Sequence, residues 1–154
     1  QQKPLKQLGP DPLEVEFTLP YLQDQLKRTS RAIKTTLLDQ HIVSGLGNIY
    51  VDEVLFRARI HPLKRAKDIS KSETKRIIKY SKIVLKEAIE QGGTTIRSYL
   101  NGIGEMVMFQ QKLYVYGQTD KPCMKCQTAI IKLKVGGRGT HICPSCQKLP
   151  SNSS

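Results

Sequence analysis

The chain has 154 residues, enough for one domain or two small ones, and 38% of them are hydrophobic. No apolar run approaches the roughly 18 residues a bilayer crossing needs, and no basic-then-apolar leader opens the sequence. Lys and Arg outnumber Asp and Glu by 25 to 13, a net charge of +12, which points to a polyanionic partner, nucleic acid before membrane, or to no more than a soluble basic surface.

The charge is uneven. Residues 1–20 carry two basic and three acidic side chains, residues 21–100 sixteen and eight, and residues 101–154 seven and two. Trp is absent and aromatics are 6%, which argues against a surface that stacks many unpaired bases. The opening "QQKPLKQLGPDPLEVEF" has no initiator methionine. It reads as the end of a preceding unit followed by a linker, stiffened by Pro10 and Pro12.

Helical periodicity begins near Leu19 and runs to about Arg28, with Leu19, Leu22 and Leu26 on one side. Ser30 is placed to cap a second helix holding Ala32, Ile33, Leu37 and Leu38. "HIVSGLGN" breaks it, Gly45 and Gly47 supplying turn geometry. Asn48 is placed to cap a third helix, "IYVDEVLFRARI", ending before Pro62. Ser70 and Glu73 form a capping box that opens the longest helix. Ile77, Tyr80, Ser81, Val84, Leu85 and Ala88 form its inner face and "QGG" ends it near Gln91. "TTIRSYLNGIGEMVMFQQ" reads as a short helix leading into a glycine-containing loop, "KLYVYG" as a short strand, and the tail "LPSNSS" as disordered.

Cys123-x2-Cys126 and Cys143-x2-Cys146 have the spacing of a four-thiolate zinc site, with iron or two disulfides as the other readings. "AIIKLKV" and "THICP" supply two strands and "GGRG" the hairpin tip. Four protein ligands leave no open position, so the zinc is structural, and it supplies much of the folding free energy of so small a unit. His141 reads as a strand residue beside a site already filled.

"SGLGNIY" exposes backbone N–H groups at a helix start, which suits a phosphate. Read locally, it is more simply a helical corner capped by Asn48, and Lys34 a solvated lysine.

Taken together, "LLDQHIVSGLGNIYVDEVLFRARIHP", "GGTTIRSYLNGIGE", "LYVYG" and "GRGTHICPSCQ" resemble the C-terminal half of bacterial formamidopyrimidine-DNA glycosylase, in the same order and over residues 3–148. The resemblance implies a mainly α fold: a linker and the end of an N-terminal domain over 1–18, a helix–two-turns–helix bundle with a lesion-capping loop over 19–117, a four-cysteine zinc β-hairpin over 118–148, and a tail over 149–154. It implies a base-excision-repair enzyme that removes oxidised purines from duplex DNA and nicks the strand, a bacterial cytoplasmic, nucleoid-associated monomer holding one structural zinc. By the same resemblance Asn48, with Gly47, bonds a phosphate beside the lesion, and Lys34 lies toward the lesion site and backbone. Arg138 holds the phosphates flanking the extruded nucleotide, and Tyr116 lies near the DNA backbone. The loop residues Ile96, Arg97, Ser98, Tyr99 and Leu100 close over the flipped base. The family's N-terminal proline nucleophile and adjacent glutamate have no match: the sequence starts with Gln1, and Pro4, Glu14 and Glu16 do not replace them. The resemblance therefore implies a binding half without catalytic residues. A non-enzymatic DNA- or RNA-binding zinc module, or a zinc domain that docks a protein, are the alternatives.

Overall fold

The computed structural model describes residues 8–100 and 113–149, with only the backbone for 91–100. Helix α1 spans Leu19–Lys27, α2 Ile33–Leu38, α3 Asn48–Ala58 and α4 Lys71–Leu100, with one 3-10 turn at Ala66–Asp68 before α4. Strands β1 (Ile131–Val135) and β2 (Arg138–Ile142) form an antiparallel pair. The chain is thus mainly helical with a small two-stranded sheet. Among the described residues no helix is long and apolar enough to cross a membrane.

Helix α1 starts on Thr18, whose hydroxyl accepts from the Tyr21 N–H at 3.3 Å, with Pro20 in its first turn where no donor is needed. Leu22 and Leu26 point into the core, as their spacing predicts. Ser30 does not cap α2. The N-cap is Ala32, and carbonyls supply what a cap would: Ile33 N–H donates to Lys64 O at 2.6 Å and Lys34 N–H to Pro62 O at 3.2 Å. Asn48 is likewise the first residue of α3 and not its cap, which is Gly47. Gly45 takes a left-handed φ of 92°, whereas Gly47 is extended.

The Ser70–Glu73 box forms as read. Ser70 N–H donates to Glu73 Oε1 at 2.8 Å and Glu73 N–H to Ser70 Oγ at 3.0 Å. Lys64 Nζ adds bonds of 3.0 and 2.9 Å to both Glu73 oxygens. Beyond it, α4 does not stop at "QGG" but continues through Gly92 and Gly93 to Leu100. Glycine permits a left-handed stop without imposing one, and its cost inside a helix, about 1 kcal/mol each, is a bias that surrounding turns can override. Ile96 to Leu100 therefore have helical backbone, continuous with α4 and not in a separate short helix. Residues 101–112, the rest of that stretch, lie outside the described residues, as does the tail from Pro150.

The main core gathers Phe17, Leu22, Leu26, Ile33, Leu37, Leu46, Val51, Val54, Leu55, Ile77 and Val84. The segment read as a linker is part of this unit: Phe17 is buried, Gly9 N–H donates to Gln40 O at 2.8 Å and Ser44 N–H to Pro10 O at 3.1 Å. A second cluster joins Phe56 of α3 to Val115, Cys123, Ile130 and Cys143. Helix α3 therefore belongs to both, with Val51, Val54, Leu55 and Ala58 toward the helices and Phe56 toward the cysteine unit.

Candidate nucleic-acid interface and metal centre

Two matching knuckles build the metal centre. Lys125 N–H points at Cys123 Sγ at 3.3 Å and Cys146 N–H at Cys143 Sγ at 3.4 Å. Gln127 N–H donates to Cys123 O at 2.8 Å and Gln147 N–H to Cys143 O at 2.9 Å. The four sulfurs lie within 4.8 Å of one another, with Cys126–Cys143 at 3.4 Å, Cys126–Cys146 at 3.7 Å and Cys123–Cys146 at 3.9 Å. A tetrahedral zinc with Zn–S bonds of about 2.3 Å sets its sulfurs roughly 3.8 Å apart, so these thiols fit one structural zinc ion. None is in a disulfide. The group comprises the four cysteines without His141.

The centre is fastened to the segment that follows α3 through Gln147, whose Oε1 accepts from Cys143 N–H at 2.9 Å and whose Nε2 donates to Ile60 O at 3.1 Å. From it the hairpin runs to a two-residue turn, Gly136–Gly137, with φ of 58° and 81°. Positive φ at both positions matches the right-handed twist of the flanking strands and favours glycine. A Cβ on Gly136 would stand 2.9 Å from Thr35 Oγ1, so the turn sits against α2. Arg138 is not in the turn but opens β2, paired with Val135. Its side chain is exposed, and no hydrogen bond or ion pair engages its guanidinium among the described residues.

Each neighbour of Arg138 on β2 is held by a helix. Gly139 O accepts from Asn48 Nδ2 at 3.2 Å and from Lys34 Nζ at 3.0 Å. Thr140 Oγ1 accepts from Lys34 Nζ at 2.8 Å, and His141 N–H donates to Asp52 Oδ2 at 3.0 Å. Lys34 and Asp52 pair directly at 2.8 Å with both side chains 0% exposed. Lys34, expected at solvent or on DNA, is therefore inside, and its three ammonium protons are all engaged. Burial pulls its ammonium below the usual lysine range; Asp52 opposes this, and the nearby Arg138 charge adds to it.

Asn48 is half-buried. One amide proton is spent on Gly139, and its Oδ1 is buried without a partner among the described residues. The first-turn amides of α3 have no partners within the helix. Gly47 before it has ordinary backbone geometry, and a Cβ there would meet nothing within 4 Å. The chain's own packing does not call for glycine at 47.

Tyr116 packs against His141, with ring centroids 4.6 Å apart and the ring planes tilted by 58°. Residues 114–117 are not a strand. Their amides bond to one carboxylate: Glu53 Oε1 accepts from Tyr114 N–H at 2.8 Å, and Oε2 from Val115 and Tyr116 N–H at 2.9 Å each. Burial raises the Glu53 carboxyl above the usual range, against the pull of these donors. Asp52, Glu53, Thr140 and Gln147 were not singled out from the sequence. The available signal was α3 itself: with Val51, Val54, Leu55 and Phe56 around them, Asp52 and Glu53 have no solvent face left to occupy.

Arg138, Asn48, Gly47 and Lys34 thus meet at the turn end of the hairpin, with Tyr116 joined through His141. The side chains of Ile96 to Leu100 lie outside the described ones.

The family model described as the formamidopyrimidine-DNA glycosylase H2TH domain matches residues 8–99, and the zinc finger found in FPG and IleRS matches residues 120–149. Formamidopyrimidine-DNA glycosylase of Oceanobacillus iheyensis is 63% identical over 145 residues, 94% of this chain and 52% of that protein. Lactococcus lactis Fpg in complex with abasic-site DNA superposes with a TM-score of 0.84 at 40% identity, over 96% of this chain and 54% of that one. The same enzyme with Fapy-dG DNA gives 0.82 at 40%, over 96% and 53%. The chain spans about half the length of the relatives it matches. It belongs to the formamidopyrimidine-DNA glycosylase H2TH-domain family, and its cysteine unit is that family's zinc finger.

Proposed function

We propose that this chain is the DNA-gripping half of a base-excision-repair glycosylase and AP lyase acting on oxidised purines in duplex DNA. The observation that carries the reading is the exposed Arg138 guanidinium at the hairpin end, unpaired among the described residues, beside the first-turn amides of α3 that no helical bond uses. Arg138 and the Gly47–Asn48 helix start hold backbone phosphates on either side of a nucleotide turned out of the stack. Asn48 keeps one amide proton for a phosphate while the other stays on Gly139. Helices α2 and α3 with their intervening turns form the helix–two-turns–helix element, and zinc keeps the hairpin that presents Arg138. Tyr116 lies at the edge of the same surface, and the residues from Ile96 to Leu100 lead into the base-capping loop. The names of the solved relatives, bound to abasic-site and Fapy-dG DNA, support a lesion-containing duplex as the partner. The chemistry, attack by an amine on the sugar carbon, is assigned to residues beyond the half that this chain matches.

The test is binding of the zinc-loaded chain to an abasic-site duplex across a salt series. Affinity falls steeply with salt, and Arg138→Ala weakens it and lowers the log–log slope by about 1. An unchanged slope removes Arg138 from the phosphates. Equal competition by structured RNA would favour a general nucleic-acid module, and borohydride trapping on an 8-oxoguanine duplex would overturn the division of labour.

A further inference from the structure

We propose that Lys34 and Asp52 are positioning residues for the DNA grip: from inside the core they fix the backbone that carries Arg138, and so raise DNA affinity without touching DNA. This rests on the reading of Arg138 as a phosphate contact.

Lys34 has three bonds, and two end on the hairpin. One goes to the carbonyl of Gly139, directly after Arg138, at 3.0 Å. The other goes at 2.8 Å to Thr140 Oγ1, which itself donates to the Arg138 carbonyl at 3.0 Å. The third, to Asp52, sets the ammonium on α3, and the far oxygen of Asp52 accepts the His141 N–H at 3.0 Å and lies 3.2 Å from His141 Nδ1. One buried pair thus bonds Gly139, Thr140 and His141 directly and Arg138 through the Thr140 hydroxyl. A two-stranded hairpin is marginal by itself, and its own ladder says nothing about its angle to the helices. Replacing a buried ion pair with apolar groups is often no worse for stability, so stability alone does not account for charge here. Direction does: three acceptors in fixed places admit one orientation of the hairpin. An arginine backbone ordered beforehand spares DNA binding that part of the ordering cost.

The experiment measures affinity of the zinc-loaded chain for an abasic-site duplex over a salt series. Lys34→Met lowers affinity roughly three- to tenfold at low salt and the log–log slope by about 1, as losing one phosphate contact does. The double variant with Arg138→Ala binds no more weakly than Arg138→Ala alone, because Lys34 acts only through Arg138. Multiplied losses in the double variant, or an unchanged slope in Lys34→Met, overturn the proposal. Should Lys34→Met lose its zinc or its cooperative melt, Thr140→Val decides. It removes one hydroxyl, and a smaller loss that vanishes in the Arg138→Ala background supports the proposal, whereas parental affinity and slope overturn it. If Arg138→Ala is itself silent, the phosphate reading has failed; if it weakens binding while both other variants match the parent, only the positioning role has.

Discussion

Replacing Glu53 by glutamine keeps the shape of the side chain and changes only what it can accept. Two of the three amides share Oε2 and the third uses Oε1, all at 2.8–2.9 Å. A glutamine carbonyl facing Val115 and Tyr116 keeps two of these bonds and turns its NH2 toward the Tyr114 N–H, donor against donor. An orphaned buried amide costs about 1–3 kcal/mol. The charge-assisted part of the other two bonds is lost as well, but relief of the buried charge offsets it, since burial already pushes this carboxyl upward. The net expectation is a destabilisation of about 1–3 kcal/mol. With a urea m-value of about 2 kcal/mol per M, the unfolding midpoint falls by roughly 0.5–1.5 M. Tyrosine fluorescence reads it without interference, because the chain has six Tyr and no Trp. A midpoint within 0.2 M of the parent at equal m-value would mean that the three bonds do no more than cancel the cost of burying the carboxylate.

Removing zinc with a chelator unfolds the unit of residues 120–149 and exposes its four thiols to a thiol reagent, while far-ultraviolet dichroism retains most of the α1–α4 signal; a dichroism loss parallel to thiol release would show one cooperative unit instead. The Glu73→Gln variant keeps the capping acceptor but loses the Lys64 pair. Burial acts to raise the Glu73 carboxyl, yet the Ser70 N–H and the Lys64 ammonium outweigh it and leave it below its ordinary value. A depressed carboxyl contributes stability above its unfolded pKa and loses it as pH falls through the folded one. Wild type should therefore exceed Glu73→Gln by about 1 kcal/mol near pH 7, and the difference should begin to shrink near about pH 4 and vanish once the pH is below the depressed folded-state value. A difference constant from pH 7 to pH 3 would remove the ion pair from the account.

Local signals were legible where local chemistry decides. The Ser70–Glu73 box forms as its residues imply because its partners are three residues apart; the cysteine spacing and the Leu22–Leu26 face are legible because each pattern is local, although the sulfurs that meet across the centre lie 17–23 residues apart. The capping role of Ser30 and the strand at 114–117 were misread for the opposite reason. The amides at the start of α2 are satisfied by carbonyls of Pro62 and Lys64, and those of 114–116 by Glu53. Nothing within a few residues of either segment announces such partners. At the candidate site, Arg138 and the Gly47–Asn48 helix start stand out in the sequence because glycines flank them, while the phosphate roles proposed for them come from the family resemblance. The inward turn of Lys34 is not visible in the sequence, because a lone lysine reads as solvated until its partners are known, and two of its three acceptors lie more than 100 residues away.

That separation has a consequence for how the chain is made. Lys34 and Asp52 are 18 residues apart and can pair as soon as α3 emerges, but Gly139 and Thr140 follow Lys34 by 105 and 106 residues. At about 5–20 residues per second of synthesis, the helical part waits on the order of 5–20 s with an interior ammonium short of two acceptors and a carboxylate short of a donor. Arrival of the last strand closes that gap, so a nascent chain stalled before Gly139 should carry a water-accessible cleft between α2 and α3 that the finished protein lacks.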